Sequence, residues 1–191
     1  CASAGCVGEV QHPTAVTKSE PPETVPNAIK TNSEKDAFFG ELHLHTAYST
    51  DAVLLSGTTV TPDQAYRYAR GEPVAILGKT VRLDRPLDFM AVTDHAELMG
   101  AGVDLFDPST AAGRSEFGRG VQKAGAPDSQ FLRKLFTSKN PAPGVDWDGI
   151  VQSTWRRQID IAQKYNEPGR FTTFIGFEWS ATPGFNNLHR N

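Results

Sequence analysis

Two histidines two positions apart, His43 and His45, stand in the stretch FFGELHLHTAYSTDA, with Asp51 shortly after them. Two other short apolar runs end in groups of the same chemistry. DFMAVTDH closes on Asp94 and His95, and FTTFIGFEW closes on Glu178, with His189 further along. Imidazole and carboxylate together suit zinc, manganese or iron, and one carboxylate can bridge two ions. Two imidazoles at i and i+2 of a strand lie on one face and can share an ion. Each motif alone has an ordinary reading: hydrogen-bonded partly buried histidines, a turn aspartate, a surface carboxylate beside Trp179. Yet four of the five histidines fall in these motifs, and that concentration points to a metal site.

The elements needed to position them can be read from local pattern. Alternation from Leu42 to His45 predicts a strand with both imidazoles on one face. A loop is expected after Asp51, then a helix in TPDQAYRYARG. Thr61 is its N-cap, Pro62 its first residue, Gln64 the capping-box partner and Gly71 its stop. EPVAILGKTVRLD reads as a hairpin turning at Gly78-Lys79. Phe89 to Thr93 reads as a buried parallel strand presenting Asp94 and His95 at its C-terminal end. Residues 100–143, rich in Gly, Pro and Ser, read as an insertion, a candidate lid, with an amphipathic piece around SQFLRKLF. WDGIVQSTWRRQIDIAQKYNEPG reads as the clearest helix. Asp148 is its expected cap, Val151, Trp155, Ile159 and Ala162 its apolar stripe, and Pro168-Gly169 its end. RFTTFIGFEWS reads as a final strand ending in Glu178. Strands and helices alternate, which is the pattern of an α/β fold, and functional side chains of β/α barrels gather at the C-terminal ends of the strands.

Composition narrows the function classes. The 191 residues are 38% hydrophobic and 21% charged, which fits one globular domain rather than a disordered or fibrous chain. A net charge of -3 argues against a nucleic-acid partner. No apolar run approaches the roughly 18 residues of a membrane-spanning helix. Residues 1–36 are polar and Pro-rich and read as a flexible tether before a domain at 37–191; His12 lies in this tail as a solvated residue. Both cysteines, Cys1 and Cys6, lie in the tail, so neither can staple the domain. CASAGC resembles the mature start of a bacterial lipoprotein, which would place the protein in the cell envelope or periplasm with a lipid anchor at Cys1. A chance cysteine in an otherwise untethered protein is the alternative.

The motifs GELHLHTAYSTDA, DFMAVTDHAE and FIGFEWSATPGFNNLHRN together resemble the polymerase-and-histidinol-phosphatase (PHP) superfamily of metal-dependent phosphoesterases. Within it they are most similar to a bacterial branch catalogued as a domain of unknown function. TPDQAYRYARGE and YNEPGRFTTFIGFEWS add to the likeness, which spans about Phe38 to Asn191. The resemblance implies a distorted seven-stranded β/α barrel, incomplete in this chain, with two or three divalent ions at its mouth. It implies His43 and His45 as ligands of a first ion, Glu178 as the bridge to a second, and Asp51 and His95 as ligands of a third. His189 is implied as a further ligand of the second ion. The superfamily draws later ligands from strands beyond these, so the chain reads as an N-terminal portion.

The expected chemistry is hydrolysis of a small-molecule phosphate ester, with clustered ions activating water. Glu178, Asp94 and Arg190 are the expected catalytic group, Asp94 by orienting a ligand or the chain and Arg190 by clamping a phosphate oxygen. Tyr48 and Asn187 are further pocket candidates. No Ser-His-Asp pattern or glycine-rich phosphate loop competes. Two alternatives stay open: hydrolysis of an amide or other ester by the same cluster, and a surface-tethered binding module with a vestigial site.

Overall fold

Local chemistry shortens the first strand. In the computed structural model, which describes residues 36–191 apart from 126–130, 132–134, 136–137, 139–141 and 182, β1 covers only Gly40–Glu41. Alternation predicts a strand on to His45, but Glu41 Oε1 accepts the backbone N–H groups of Leu42 (2.9 Å) and His43 (2.8 Å), so a neighbouring strand cannot. The chain still tracks its neighbour, because Thr93 N–H donates to the Leu44 carbonyl at 2.8 Å. The expected loop after Asp51 is instead a helix, α1 (Thr50–Ser56), closed by Gly57 at φ 63°. Helix α2 (Pro62–Ala69) forms as its sequence predicts: Thr61 and Gln64 make both bonds of a capping box.

Strands β2 (Val74–Ile76) and β3 (Lys79–Val81) form the hairpin, with its turn one residue earlier than expected, at Leu77 and Gly78. Both turn residues have positive φ, which fits a primed turn. β4 (Phe89–Val92) is the buried strand. The region read as an insertion holds α3 (Ala101–Phe106), α4 (Ala111–Arg114) and α5 (Glu116–Ala124). Most of SQFLRKLF, like the tail with Cys1 and Cys6, lies outside the described residues. Then come α6 (Trp147–Tyr165), β5 (Thr172–Ile175), β6 (Trp179–Ala181) and β7 (Leu188–Arg190).

The result is a mixed α/β fold with a three-stranded parallel sheet in the order β1-β4-β5 and two antiparallel hairpins, β2-β3 and β6-β7. None of the three sheets closes into a barrel among the described residues. Helices α2 and α6 cover one face of the parallel sheet, where Tyr66, Ala69, Met90, Val92, Ala162, Tyr165 and Phe171 share a core. Tyr66 is wholly buried, and burial pushes its phenol up to about 12. A second cluster, with Ala101, Leu105, Val121, Val145 and Ile150, knits α3 to α5 onto the start of α6.

Helix α6 differs from its expected face. Asp146, not Asp148, is the cap and accepts the Gly149 N–H at 3.0 Å. The buried stripe is Ile150, Thr154, Gln158, Ala162 and Tyr165, while Val151, Trp155 and Ile159 are only half-buried. Buried Thr154 and Gln158 hide this stripe from any search for apolar periodicity.

Where α2 meets α6, Asp63 accepts from Tyr165 Oη at 2.8 Å and pairs with Lys164 Nζ at 2.6 Å. Desolvation pushes its carboxyl up, but the bonds from Lys164 and Tyr165 outweigh that and hold it below the ordinary carboxylate range. A depressed folded-state pKa contributes stability above the unfolded value, about 4, that is lost as pH falls through the folded one. Asp63→Asn is therefore expected to cost roughly 0.5–1 kcal/mol at neutral pH, mainly the charge that strengthens the Tyr165 bond, since the partly exposed pair with Lys164 is screened. Urea titrations of both proteins should converge as the pH falls below the ordinary carboxylate range and Asp63 is protonated; a gap unchanged by pH would refute the assignment.

Candidate metal centre

The backbone just beyond the strand ends assembles the site. After β4 the chain runs through Asp94 and His95, and after β5 through Glu178; His95 and Glu178 meet in a parallel bridge. Two backbone bonds fix it: Glu178 N–H to the Asp94 carbonyl at 3.0 Å, and Ala96 N–H to the Glu178 carbonyl at 2.9 Å. Asp94 is fully buried and holds the histidine loop from beneath, accepting Thr46 N–H at 2.5 Å and Thr46 Oγ1 at 2.7 Å. Gly100, at φ 80°, donates its N–H to the Tyr48 carbonyl at 2.8 Å. Its Cβ position is filled by Thr154, so a glycine is required there on two counts.

Glu178 is the hub. Its carboxylate is buried among four imidazoles: Oε2 lies 2.7 Å from His45 Nε2, 3.3 Å from His43 Nε2 and 3.6 Å from His95 Nδ1, and Oε1 lies 3.0 Å from His189 Nδ1. Asp51 Oδ2 sits 3.4 Å from His95 Nε2. Three overlapping sets of potential ligands result: His43, His45 and Glu178; His45, Asp51 and His95; His95, Glu178 and His189. All six sequence-expected ligands are therefore brought together.

Charge in the cluster is mutually reinforcing. Burial pushes Glu178 up, but the neighbouring imidazoles, His95 foremost, outweigh it and keep the carboxyl below its ordinary range. Burial likewise opposes ionisation of Asp51, and its bond with His95 reverses the balance. His95 is raised chiefly by that same bond. Asp94 behaves differently: burial dominates and raises it.

The donor set fits a cation. His43 Nε2 and His45 Nε2 are 3.1 Å apart, and both face Glu178 Oε2. Three basic atoms at such spacings repel unless a proton or a cation lies among them. Tetrahedral zinc with bonds near 2.0–2.1 Å would separate its ligands by about 3.3 Å, close to these distances.

Two clefts open on the cluster. One, of about 510 Å³, is lined by the ligand residues together with Ala52, Leu55 and Ser56. The other, of about 300 Å³, runs from Asp51 and His95 past Glu97, Ser180 and Ala181 to Asn187 and His189. Asn187 thus takes a wall position, as expected. Asp94 lies beneath the clefts and lines neither, so its part is to position the histidine loop rather than to touch a substrate. Arg190 is displaced for a simple reason. Successive strand residues point to opposite faces, so β7 directs His189 to the cluster and exposed Arg190 away from it. Tyr48 packs under the Arg157 guanidinium, 5.7 Å from its ring, and is not part of either wall.

Two residues were not foreseen. Ser180 Oγ lies 2.9 Å from His95 Nδ1 and 3.2 Å from His189 Nδ1. Glu97 Oε1 accepts Ser180 N–H at 3.0 Å, while its Oε2 is buried without a hydrogen-bond partner among the described residues. Neither carries a signal in spacing or periodicity; only its nearness to DH and EW hints at it.

The fold and site define an α/β protein with an imidazole–carboxylate cluster beyond the C-terminal ends of parallel strands. The chain belongs to the family described as Protein of unknown function (DUF3604), which matches residues 32–191. No curated protein and no solved structure matches it. Among the described residues no helix is long and apolar enough to cross a membrane.

Proposed function

We infer that the protein is a metal-dependent hydrolase of phosphate esters, related to the PHP superfamily. The observation that supports this reading best is the convergence of four imidazoles and two carboxylates from remote positions on a cleft, with basic atoms close enough together to need a proton or a cation among them. His43, His45, Asp51, His95, Glu178 and His189 would hold two or three zinc, manganese or iron ions. Such ions supply Lewis acidity that lowers the pKa of a water and neutralises charge on the attacked group. Glu178, reaching two ligand sets with its two oxygens, would fix the spacing between ions. Asp94 would keep the loop carrying His43 and His45 against the strand ends. The parallel sheet with helices on one face is in keeping with the opening strands of a β/α barrel. Acylation of Cys1, leaving the domain tethered at the cell envelope, belongs to the same proposal and rests on CASAGC alone.

One observation favours a second reading, hydrolysis of an uncharged ester or amide. No lysine or arginine is among the described residues lining the clefts. Phosphate could still be drawn in, because three divalent ions outweigh the charges of Asp51, Glu97 and Glu178. Elemental analysis after metal loading, paired with a panel of aryl phosphates, aryl esters and anilides, separates the readings. We expect at least one ion per chain and phosphate-ester turnover that a chelator removes and added metal restores. Turnover confined to the uncharged substrates would select the second reading, and substoichiometric metal would dismiss both.

A further inference from the structure

We propose that the substrate is a phosphate diester and that its two organic groups lie in the two clefts that meet at the metal centre. This rests on the phosphate-ester reading above and narrows its substrate class. The clefts share Asp51, His95 and His189 and then part. The larger, of about 510 Å³, follows α1 past Ala52, Leu55 and Ser56. The smaller, of about 300 Å³, follows β6 past Ser180 and Ala181 to Asn187, with Glu97 on its wall. Both volumes lie in the ordinary range of small-molecule sites, about 300–1,000 Å³.

The two walls differ in chemistry. Asp51 and Leu55 are four residues apart on α1, so the helix turns a candidate ligand and an apolar side chain to one face. Leu55 is 64% exposed, an apolar surface left open beside polar groups. An aromatic or alkyl group laid on it would remove that surface from water. The smaller cleft offers the Asn187 amide and the Glu97 carboxylate, which suit a group that hydrogen-bonds. A phosphoryl group held where the clefts join thus has room for an organic group in each. A monoester would fill one cleft and leave the other to water.

Charge selects in the same direction. Near neutral pH a phosphate monoester carries about −1.5 to −2, since its second proton is lost near pH 6. A diester has no second proton to lose and carries a single charge. Among the described residues no lysine or arginine lines either cleft, whereas Asp51, Glu97 and Glu178 do. The second charge of a monoester would meet those carboxylates with no fixed guanidinium or ammonium to offset it. In hydrolysis, the oxygen of water forms a new bond to phosphorus as one ester P–O bond breaks. A proton of that water passes to the released alcohol, and the phosphate monoester keeps the other organic group.

The test compares two anions that hold no ester bond, so binding is read without turnover. Diphenylphosphinate has two rings and one charge, as a diester has; phenylphosphonate has one ring and, at about pH 8, the two charges of a monoester. Isothermal titration of the metal-loaded protein should show the phosphinate bound roughly 10-fold more tightly, and bis(4-nitrophenyl) phosphate should be hydrolysed in preference to 4-nitrophenyl phosphate by a similar factor. Leu55→Ala should weaken phosphinate binding roughly 3–10-fold, and Ala181→Phe, which fills the smaller cleft, by about 10-fold or more. Phenylphosphonate should lose less in each variant, because one cleft stays open to its single ring. The proposal is overturned by phosphonate binding as tight as phosphinate binding, by preferred turnover of the monoester, or by equal losses for both anions in the variants. Should Ala181→Phe not fold, the wild-type comparison and Leu55→Ala, at an exposed position, decide. Preference for the monoester would remove the diester and leave the phosphate-ester reading standing, whereas a metal-loaded protein that binds neither anion would remove both.

Discussion

Replacing Glu178 with glutamine is expected to abolish hydrolysis and to weaken ion binding by at least about 100-fold. Outer partners of metal ligands already cost 10–100-fold when removed, and in the proposed centre Glu178 would be a shared ligand, not an outer partner. Its oxygens reach His43 and His45 on one side and His189 on the other, so two of the three ligand sets fail together. Glutamine is nearly isosteric, but it exchanges a charge and an acceptor for a neutral amide whose NH₂ would face an imidazole nitrogen. The set of His45, Asp51 and His95 keeps all its members, so the variant should retain a residual ion at that position. Asp51→Asn should do the reverse, sparing the two sets that share Glu178. Metal-free stability should fall only modestly in Glu178→Gln: the variant loses the stabilisation that the lowered carboxyl pKa signifies, but the bonds that seat this segment, Glu178 N–H to Asp94 and Ala96 N–H to Glu178, belong to the backbone. Isothermal titration with zinc and a phosphate-ester assay check the first point, and thermal melting in chelator checks the last. Two variants with the same loss of stoichiometry would mean that the three sets are not separate sites.

The candidate ligands were legible because their chemistry is rare and their setting repeats. An apolar run followed by histidine or carboxylate occurs three times, and in a parallel sheet those ends lie side by side, which is how residues as distant as His43 and Glu178 come to touch. Helix α2 was legible for another reason: Thr61, Pro62 and Gln64 specify a start whatever surrounds it. What escaped depends on tertiary partners. β1 ends early because one Glu41 oxygen takes two amides, a competition no alternation pattern records. Helix α1 follows a serine whose hydroxyl makes no capping bond and meets two histidines instead. Arg190 was attractive for its charge, and only the pairing of β7 with β6 shows which way it faces. Alternation of strands and helices predicts an α/β fold, which the described residues have; the barrel was implied by the resemblance to the PHP superfamily, whereas the described strands give a parallel sheet of three and two hairpins.

Gln158 carries the second large expectation, and it ties the helix layer to the cluster. From the buried stripe of α6 its Nε2 donates to the Val92 carbonyl at 3.0 Å and to the Gly176 carbonyl at 2.8 Å. Those carbonyls lie at the end of β4 and just past the end of β5, each two residues before Asp94 and Glu178 respectively. An amide NH₂ supplies both protons from a single nitrogen, which explains a polar residue where apolar periodicity predicts none. Its Oε1 is left buried without a hydrogen-bond partner among the described residues, so the clamp is kept at a cost. Gln158→Leu removes that orphan atom but deprives two carbonyls of a donor. Since leucine is a good helix former, the loss falls on the clamp and not on α6 itself. We expect a net destabilisation of roughly 1–3 kcal/mol, read as a fall of several degrees in melting temperature. Zinc affinity should fall with it, because His95 and Glu178 would no longer be held at a fixed separation. A melting temperature within about 1 °C of the wild type would show that the strand ends need no such clamp. An unchanged zinc affinity in a destabilised variant would confine Gln158 to the fold and leave the ligand geometry to the backbone bonds between Asp94, Ala96 and Glu178.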